Sequence, residues 1–217
     1  MIVDARYSDY VNSLTGYLPP ALEELYDQAV AQNIPVIRRQ TQSLLSFLLI
    51  ERQPRRILEV GTAIGFSALF MSGYMPADGH ITTIEKYEKR IPVARENFRR
   101  FGMEERITLL EGDASDILDT LASESYDLIF MDAAKGQYIH FLPQVKRLLA
   151  QGGMLVSDNV LQDGEIIESR FAVTRRNRTI HERMREYLYT LKHDDELESV
   201  ILNVGDGMAI SVKRTVL

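Results

Sequence analysis

The chain has 217 residues, 45% of them hydrophobic and 26% charged, with a net charge of −6 at pH 7. This is the balance of one ordinary globular domain and argues against generic nucleic-acid binding. Cysteine is absent, which excludes disulfides, thiolate metal sites and a cysteine nucleophile. Met1-Ile-Val-Asp-Ala-Arg6 has no basic stretch leading into an apolar one, and the longest apolar run, Leu44 to Ile50, is far too short to span a membrane. A cytoplasmic protein with no membrane contact is expected.

Taken in chain order, the first 53 residues read as a helical cap, because Ala21 to Val30 and Ser43 to Ile50 repeat apolar residues at three-to-four spacing. After Pro54 the pattern changes to short apolar runs alternating with amphipathic stretches, the signature of a parallel sheet built from strand–helix units. Five strands are expected at Arg56–Val60, His80–Ile84, Ile107–Glu111, Tyr126–Met131 and Gly153–Ser157. Helices are expected at Gly65–Tyr74, Pro92–Phe101, Ser115–Leu121 and Tyr138–Leu149, with Pro92 tolerated near a helix start. Leu197–Val204 and Met208–Lys213, joined by Gly205-Asp-Gly, read as a closing antiparallel hairpin. No linker or repeat divides the chain, so a single α/β domain with a doubly wound, mostly parallel sheet is expected over residues 1–217.

Ligands of doubly wound sheets bind beyond the carboxyl ends of the strands. The first such end, Glu59-Val-Gly-Thr-Ala-Ile-Gly-Phe-Ser67, is a glycine-rich turn into a helix, where missing side chains let a ligand approach the backbone. Gly61 and Gly65 stand three residues apart, so this is not the dinucleotide G-x-G-x-x-G pattern, and a nicotinamide dehydrogenase is disfavoured. Glu85 ends the second strand, 24 residues after Gly61, where a carboxylate accepts hydrogen bonds from both ribose hydroxyls. Asp113 and Ala114 follow the third strand, in position to hold an adenine amino group. Each has a plainer reading, as a turn glycine or a helix-capping acid; their occurrence at successive strand ends favours a nucleoside cofactor.

The fourth strand ends in Asp132-Ala-Ala-Lys135 and the fifth in Asp158-Asn159. Two carboxylates and an amide oxygen make a hard, all-oxygen donor set suited to magnesium, manganese or calcium rather than zinc or copper. An acceptor with two adjacent oxygens would chelate such an ion, and a lysine beside a cation has its ammonium form disfavoured, freeing Lys135 to act as general base. Helix capping by Asp132 and Asp158, with Lys135 a solvated loop residue, is the plain alternative.

Through Leu58 to Ser67, Glu85, Gly112-Asp113, Asp132-Ala-Ala-Lys135 and Asp158-Asn159, the chain resembles the catechol and caffeoyl-coenzyme A type of cation-dependent O-methyltransferase over roughly residues 35 to 213. The resemblance implies a Rossmann-like class I methyltransferase sheet. It also implies S-adenosylmethionine at Val36, Glu59, Gly61, Gly65, Ser67, Glu85, Asp113, Ala114 and Asp132, magnesium at Asp132, Asp158 and Asn159, and catalysis by Lys135 with Asp132. The family's Gly-Gln before the first strand is replaced here by Arg39-Gln-Thr-Gln42.

Gln162-Asp-Gly-Glu and Arg175-Arg-Asn-Arg-Thr-Ile-His181 look most like bacterial tRNA 5-hydroxyuridine methyltransferases. That likeness implies a tRNA anticodon loop as substrate and contacts from Arg175, Arg176 and Arg178. Six arginines and one acid, Glu182, lie between Arg170 and Arg185, a basic patch able to attract phosphate and stack on a splayed base. The competing reading is a solvated amphipathic helix with Glu182, Met184, Tyr187, Leu188 and Leu191 on its buried face. A small-molecule catechol methyltransferase and a non-catalytic cofactor-binding module are the functional alternatives. His181 and His193 receive no role, and a homodimer through the N-terminal helices is expected from the family likeness.

Overall fold

The computed structural model describes residues 5–14 and 16–215; the reading of the first residues, Met1 to Asp4, lies outside them. Seven strands form one sheet: β1 (Arg56–Val60), β2 (His80–Glu85), β3 (Ile107–Glu111), β4 (Tyr126–Met131), β5 (Leu149–Ser157), β6 (Leu197–Leu202) and β7 (Met208–Lys213). Their order is β3-β2-β1-β4-β5-β7-β6. β1 to β5 pair in parallel, and β7 runs antiparallel between β5 and β6. The chain reverses direction across the sheet at the β1/β4 boundary, which opens the crevice where ligands bind in such folds.

Successive residues of the central strands feed opposite cores, as a two-residue period requires. Leu128 and Phe130 pack with α2 (Pro20–Ala31), α3 (Arg39–Arg52), α4 (Phe66–Ser72) and α5 (Ile91–Arg100), while Ile129 and Met131 face α6 (Ala114–Thr120), α7 (Tyr138–Leu148) and α8 (Arg178–His193). The sheet is thus doubly wound, with α1 (Ala5–Ser13), α2 and α3 preceding it. No helix of the described residues is long and apolar enough to cross a membrane.

Most helix ends and some strand ends differ from the sequence reading by one or two residues, and a few differences have a clear physical reason. β5 begins at Leu149 rather than Gly153, because the β4–β5 register shifts between Tyr126 and Leu128 and the strand passes through Gly152 at φ +72°. α4 stops at Ser72, capped by Gly73, two residues short of Tyr74. In α8 the buried positions are His181, Met184, Tyr187 and Leu191. Glu182, expected on the buried face, is exposed and pairs with Arg170 at 2.8 Å; the apolar stripe runs through the residue before it.

Candidate active site

The carboxyl ends of β1 to β4 surround a cavity of about 690 Å³, the size of a cofactor pocket. Val36, Gly61, Ser67, Glu85, Asp113, Ala114, Asp132, Lys135 and Asn159 all line it. Glu59 and Gly65 stand behind that lining. Asp158 lies deeper, 1% exposed, while Arg175, Arg176 and Arg178 are not part of the lining.

The two glycines of the β1 turn admit other parts of this chain. At Gly61 (φ +108°) a Cβ would lie 2.2 Å from the backbone carbonyl oxygen of Asp132, and at Gly65 (φ +82°) 2.5 Å from the ring of Phe98. Gly61 thereby lets the β1 and β4 exits touch, which brings the cofactor turn beside Asp132. Gly61→Ala adds both a steric clash and left-handed strain, and should destabilise the fold by about 3 kcal/mol, measured as a lower denaturant midpoint.

Glu59 is fully buried beneath this turn. One carboxylate oxygen accepts from the Thr83 hydroxyl, which also contacts the Thr62 hydroxyl at 2.6 Å, and the Ser67 hydroxyl, followed by that of Thr83, partly offsets the effect of burial. Burial pushes Glu59 up to about 8, with Asp132 and Glu85 adding repulsion. A carboxyl whose folded value exceeds its unfolded 4.5 holds its proton more tightly when folded, so this group's contribution to stability falls as pH rises from 4.5 to about 8. Glu59→Gln should flatten that part of the melting-temperature profile, gaining relative to the native protein at pH 8 compared with pH 5. Asp158, raised from 3.8 to about 7, leaves its own fall in both proteins.

Glu85 is buried, and its oxygens accept the backbone N–H groups of Ala63 at 2.7 Å and Tyr87 at 2.8 Å. Each oxygen keeps a lone pair, and the glutamate lines the cavity. Ala63 adopts φ +49° to make its contact, a non-glycine residue in left-handed backbone, which persists only where its surroundings enforce it. Asp113 caps α6 by accepting from the Ser115 N–H at 2.9 Å, and Lys86 lies 3.2 Å away. The Ser115 amide, followed by Lys86, holds its carboxyl below the usual range. The capping role and a place in the lining coincide in one residue.

On the other side, Asn159 (φ +58°) returns its side chain over the turn and donates from Nδ2 to Asp132 Oδ1 at 3.0 Å. Asp158 Oδ1 accepts the Asn159 backbone N–H at 2.8 Å and lies 3.4 Å from the Thr41 hydroxyl of α3. Burial raises both aspartates, and Asp132 raises Asp158 further by repulsion. Asp158 is buried and Asp132 partly so, Asp132 opposes the charge on Asp158, and the Asn159 amide stands beside them, an oxygen-rich grouping of the kind that suits a hard cation. Among the described residues no group of three or more His, Cys, Asp or Glu is arranged to hold a metal, so the set depends on the Asn159 amide. Sequence reasoning missed the group that fixes its spacing: the buried Tyr138 hydroxyl lies 3.0 Å from the carbonyl oxygens of both Met131 and Asp158, tying β4 to β5. Lys135 projects from a 3-10 turn (Lys135–Gln137) with Nζ 3.1 Å from Asp206 Oδ2.

A doubly wound sheet whose strand ends combine a nucleoside-sized cavity with paired acids and a lysine defines a group-transfer enzyme of the methyltransferase fold. Comparison with known proteins gives the family. An O-methyltransferase family matches residues 12–214. The catechol O-methyltransferase of Niastella koreensis is 32% identical over 164 residues, covering 73% of this chain and 74% of that protein. The catechol O-methyltransferase of Mycobacterium tuberculosis is 34% identical over 150 residues, 68% of each. An SAH-bound methyltransferase from Podospora anserina superposes with a TM-score of 0.85 at 28% identity, covering 97% of this chain and 94% of its own. The chain belongs to the O-methyltransferase family.

Proposed function

We propose that this protein uses S-adenosylmethionine and magnesium to methylate a hydroxyl that has a second oxygen beside it, and that the acceptor is 5-hydroxyuridine at the wobble position of tRNA, giving 5-methoxyuridine. The observation that carries the chemistry is the meeting of Asp132, Asp158 and Asn159 with Lys135 at one edge of the cofactor cavity. When bound, S-adenosylmethionine supplies the electrophilic methyl, and magnesium at the two aspartates and Asn159 would draw in the acceptor's two oxygens and favour its oxyanion. Glu85 offers its free lone pairs to the ribose hydroxyls, and Asp113 and Ala114 close the adenine end. Lys135 takes the hydroxyl proton, and alignment of the two substrates supplies much of the acceleration.

The tRNA reading rests on the arginines. Arg178 donates to the Val173 carbonyl at 3.3 Å, Arg183 to the Gly136 carbonyl at 3.2 Å and Arg185 to the Ile166 carbonyl at 3.0 Å. Arg175 and Arg176 are exposed, with no carboxylate among the described residues paired to either. They precede α8, whose Ile180 and Arg183 pack on Gly136 beside Lys135, so the basic loop flanks the lysine turn. An exposed guanidinium pair there suits the phosphates of a nucleic-acid loop. A second reading, a small catechol as acceptor, is favoured by the names of the two bacterial relatives and needs the same adjacent oxygens.

Nucleosides from tRNA of a strain lacking the gene, with and without its restoration, decide between them by mass spectrometry. Loss of 5-methoxyuridine with accumulation of 5-hydroxyuridine is the expected result; unchanged uridines would exclude the tRNA acceptor and leave catechols. A homodimer is also proposed, since α1 and α3 expose Tyr7, Tyr10, Phe47 and Ile50; a monomer by light scattering at micromolar concentration would rule it out.

A further inference from the structure

The turn between β6 and β7, Gly205-Asp206-Gly207, reaches the site from the antiparallel edge of the sheet. Its position is tightly fixed. The Asp206 carbonyl accepts the Leu161 N–H at 2.9 Å and the Gly207 carbonyl accepts the Val160 N–H at 3.0 Å, joining the turn to the exit of β5. Both glycines have left-handed φ, 61° and 85°; a Cβ on Gly205 would lie 2.6 Å from the Thr41 hydroxyl of α3, and one on Gly207 2.2 Å from Leu161. The turn is wedged between α3 and the loop after β5, with room for glycine alone on each side of Asp206.

The Asp206 side chain is only 2% exposed. Its Oδ1 accepts the Asp163 backbone N–H, and its Oδ2 faces Lys135 Nζ at 3.1 Å. The other charged groups around Lys135 are Asp132 and Asp158 at the ends of β4 and β5, Arg183 of α8 bonded to the neighbouring Gly136, and the Arg38–Asp163 pair at 2.8 Å. Among the described residues, Asp206 is the acid that makes an ion pair with Lys135.

We propose that Asp206 is a positioning residue for methyl transfer, holding the Lys135 amine at the acceptor side of the cavity and pairing with the ammonium that forms there. The inference rests on Lys135 being the base. The ammonium paired with Asp206 first gives a proton to solvent; the acceptor O–H bond then breaks, its electron pair stays on oxygen and a new N–H bond forms on the neutral Nζ. The positive charge appears beside a buried carboxylate, where a charge-assisted hydrogen bond is strong. Lys135, 34% exposed, then returns the proton to solvent.

Asp206→Asn tests this, because an amide keeps the shape and an acceptor for the Asp163 N–H while removing the charge. The expected result is a kcat about 10- to 100-fold lower, with KM for S-adenosylmethionine unchanged. In a Lys135→Ala background the same substitution should cost nothing further, whereas a purely structural role would add its full loss there. Unchanged kcat, or losses that add, overturns the proposal. Lys135→Ala with full activity removes the base and Asp206's role together; an inactive Lys135→Ala beside a fully active Asp206→Asn removes Asp206's role alone. If Asp206→Asn fails to fold, acetylation of the native protein gives the answer: Lys135, engaged by Asp206, should react more slowly than the exposed Lys89, which pairs with no acid among the described residues, and equal rates overturn the proposal.

Discussion

Asp132→Ala is expected to reduce kcat on the order of 10³-fold while the protein stays folded. Asp132 lines the cofactor cavity, accepts from Asn159 and raises Asp158 by repulsion. Its removal therefore takes away one of two carboxylates proposed for the cation and frees the Asn159 side chain to turn aside. The fold does not depend on that charge, since burial disfavours the ionised form and the strand is secured by Tyr138 and by pairing with β1 and β5. Deleting one of two mutually repelling acids should leave the melting temperature unchanged or higher at neutral pH. Radiolabelled methyl transfer beside calorimetry checks both halves. A folded, fully active variant would remove Asp132 from the metal set.

Lys135→Ala is the second large effect. Loss of a positioned general base should lower kcat about 10²- to 10⁴-fold. Titration calorimetry should find affinity for S-adenosylmethionine nearly intact, because Glu85, Asp113 and the Gly61 turn are untouched. The substitution also leaves Asp206 buried without its cation, and unpaired buried charge is costly, so some fall in melting temperature is expected. Weakened cofactor binding with unchanged single-turnover chemistry would assign Lys135 to the cofactor instead.

Much of this architecture was legible in the chain. β1, β3, β4 and β7 begin and end where apolar periodicity placed them, because each is bounded by turns the sequence marks and each feeds two cores. The start of β5 was not, since Leu149 to Gly153 pairs through a register shift that no local pattern encodes. α3 begins at Arg39, four residues before its apolar repeat. Its first turn buries Thr41 and Gln42, polar residues satisfied by Asp158 and by the Ile37 carbonyl, so it carries no hydrophobic signal. On α8, Met184, Tyr187 and Leu191 are buried as expected, and only Glu182 was misplaced, its position on that face being taken by His181, which is polar in sequence yet buried.

The site divides the same way. Glu85, Asp113, Asp132 and Asn159 reach the cavity lining because each stands at, or within two residues of, the carboxyl end of a strand. Glu59 and Gly65 share that motif but stand behind the cavity lining, where the acid braces the turn through Thr83 and the glycine makes room for Phe98. Asp206 looked like an ordinary hairpin acid. Only the antiparallel insertion of β7 beside β5 carries it to Lys135, 71 residues away in sequence, and strand order is a long-range property that spacing does not reveal.

The central claim, cation-assisted methyl transfer from S-adenosylmethionine, is tested most directly with purified protein, labelled S-adenosylmethionine and tRNA from the strain lacking the gene, assayed with magnesium and after chelation. The account predicts label in 5-methoxyuridine with magnesium present, its loss on chelation and its return when the ion is restored. Label transfer undiminished after chelation would contradict it.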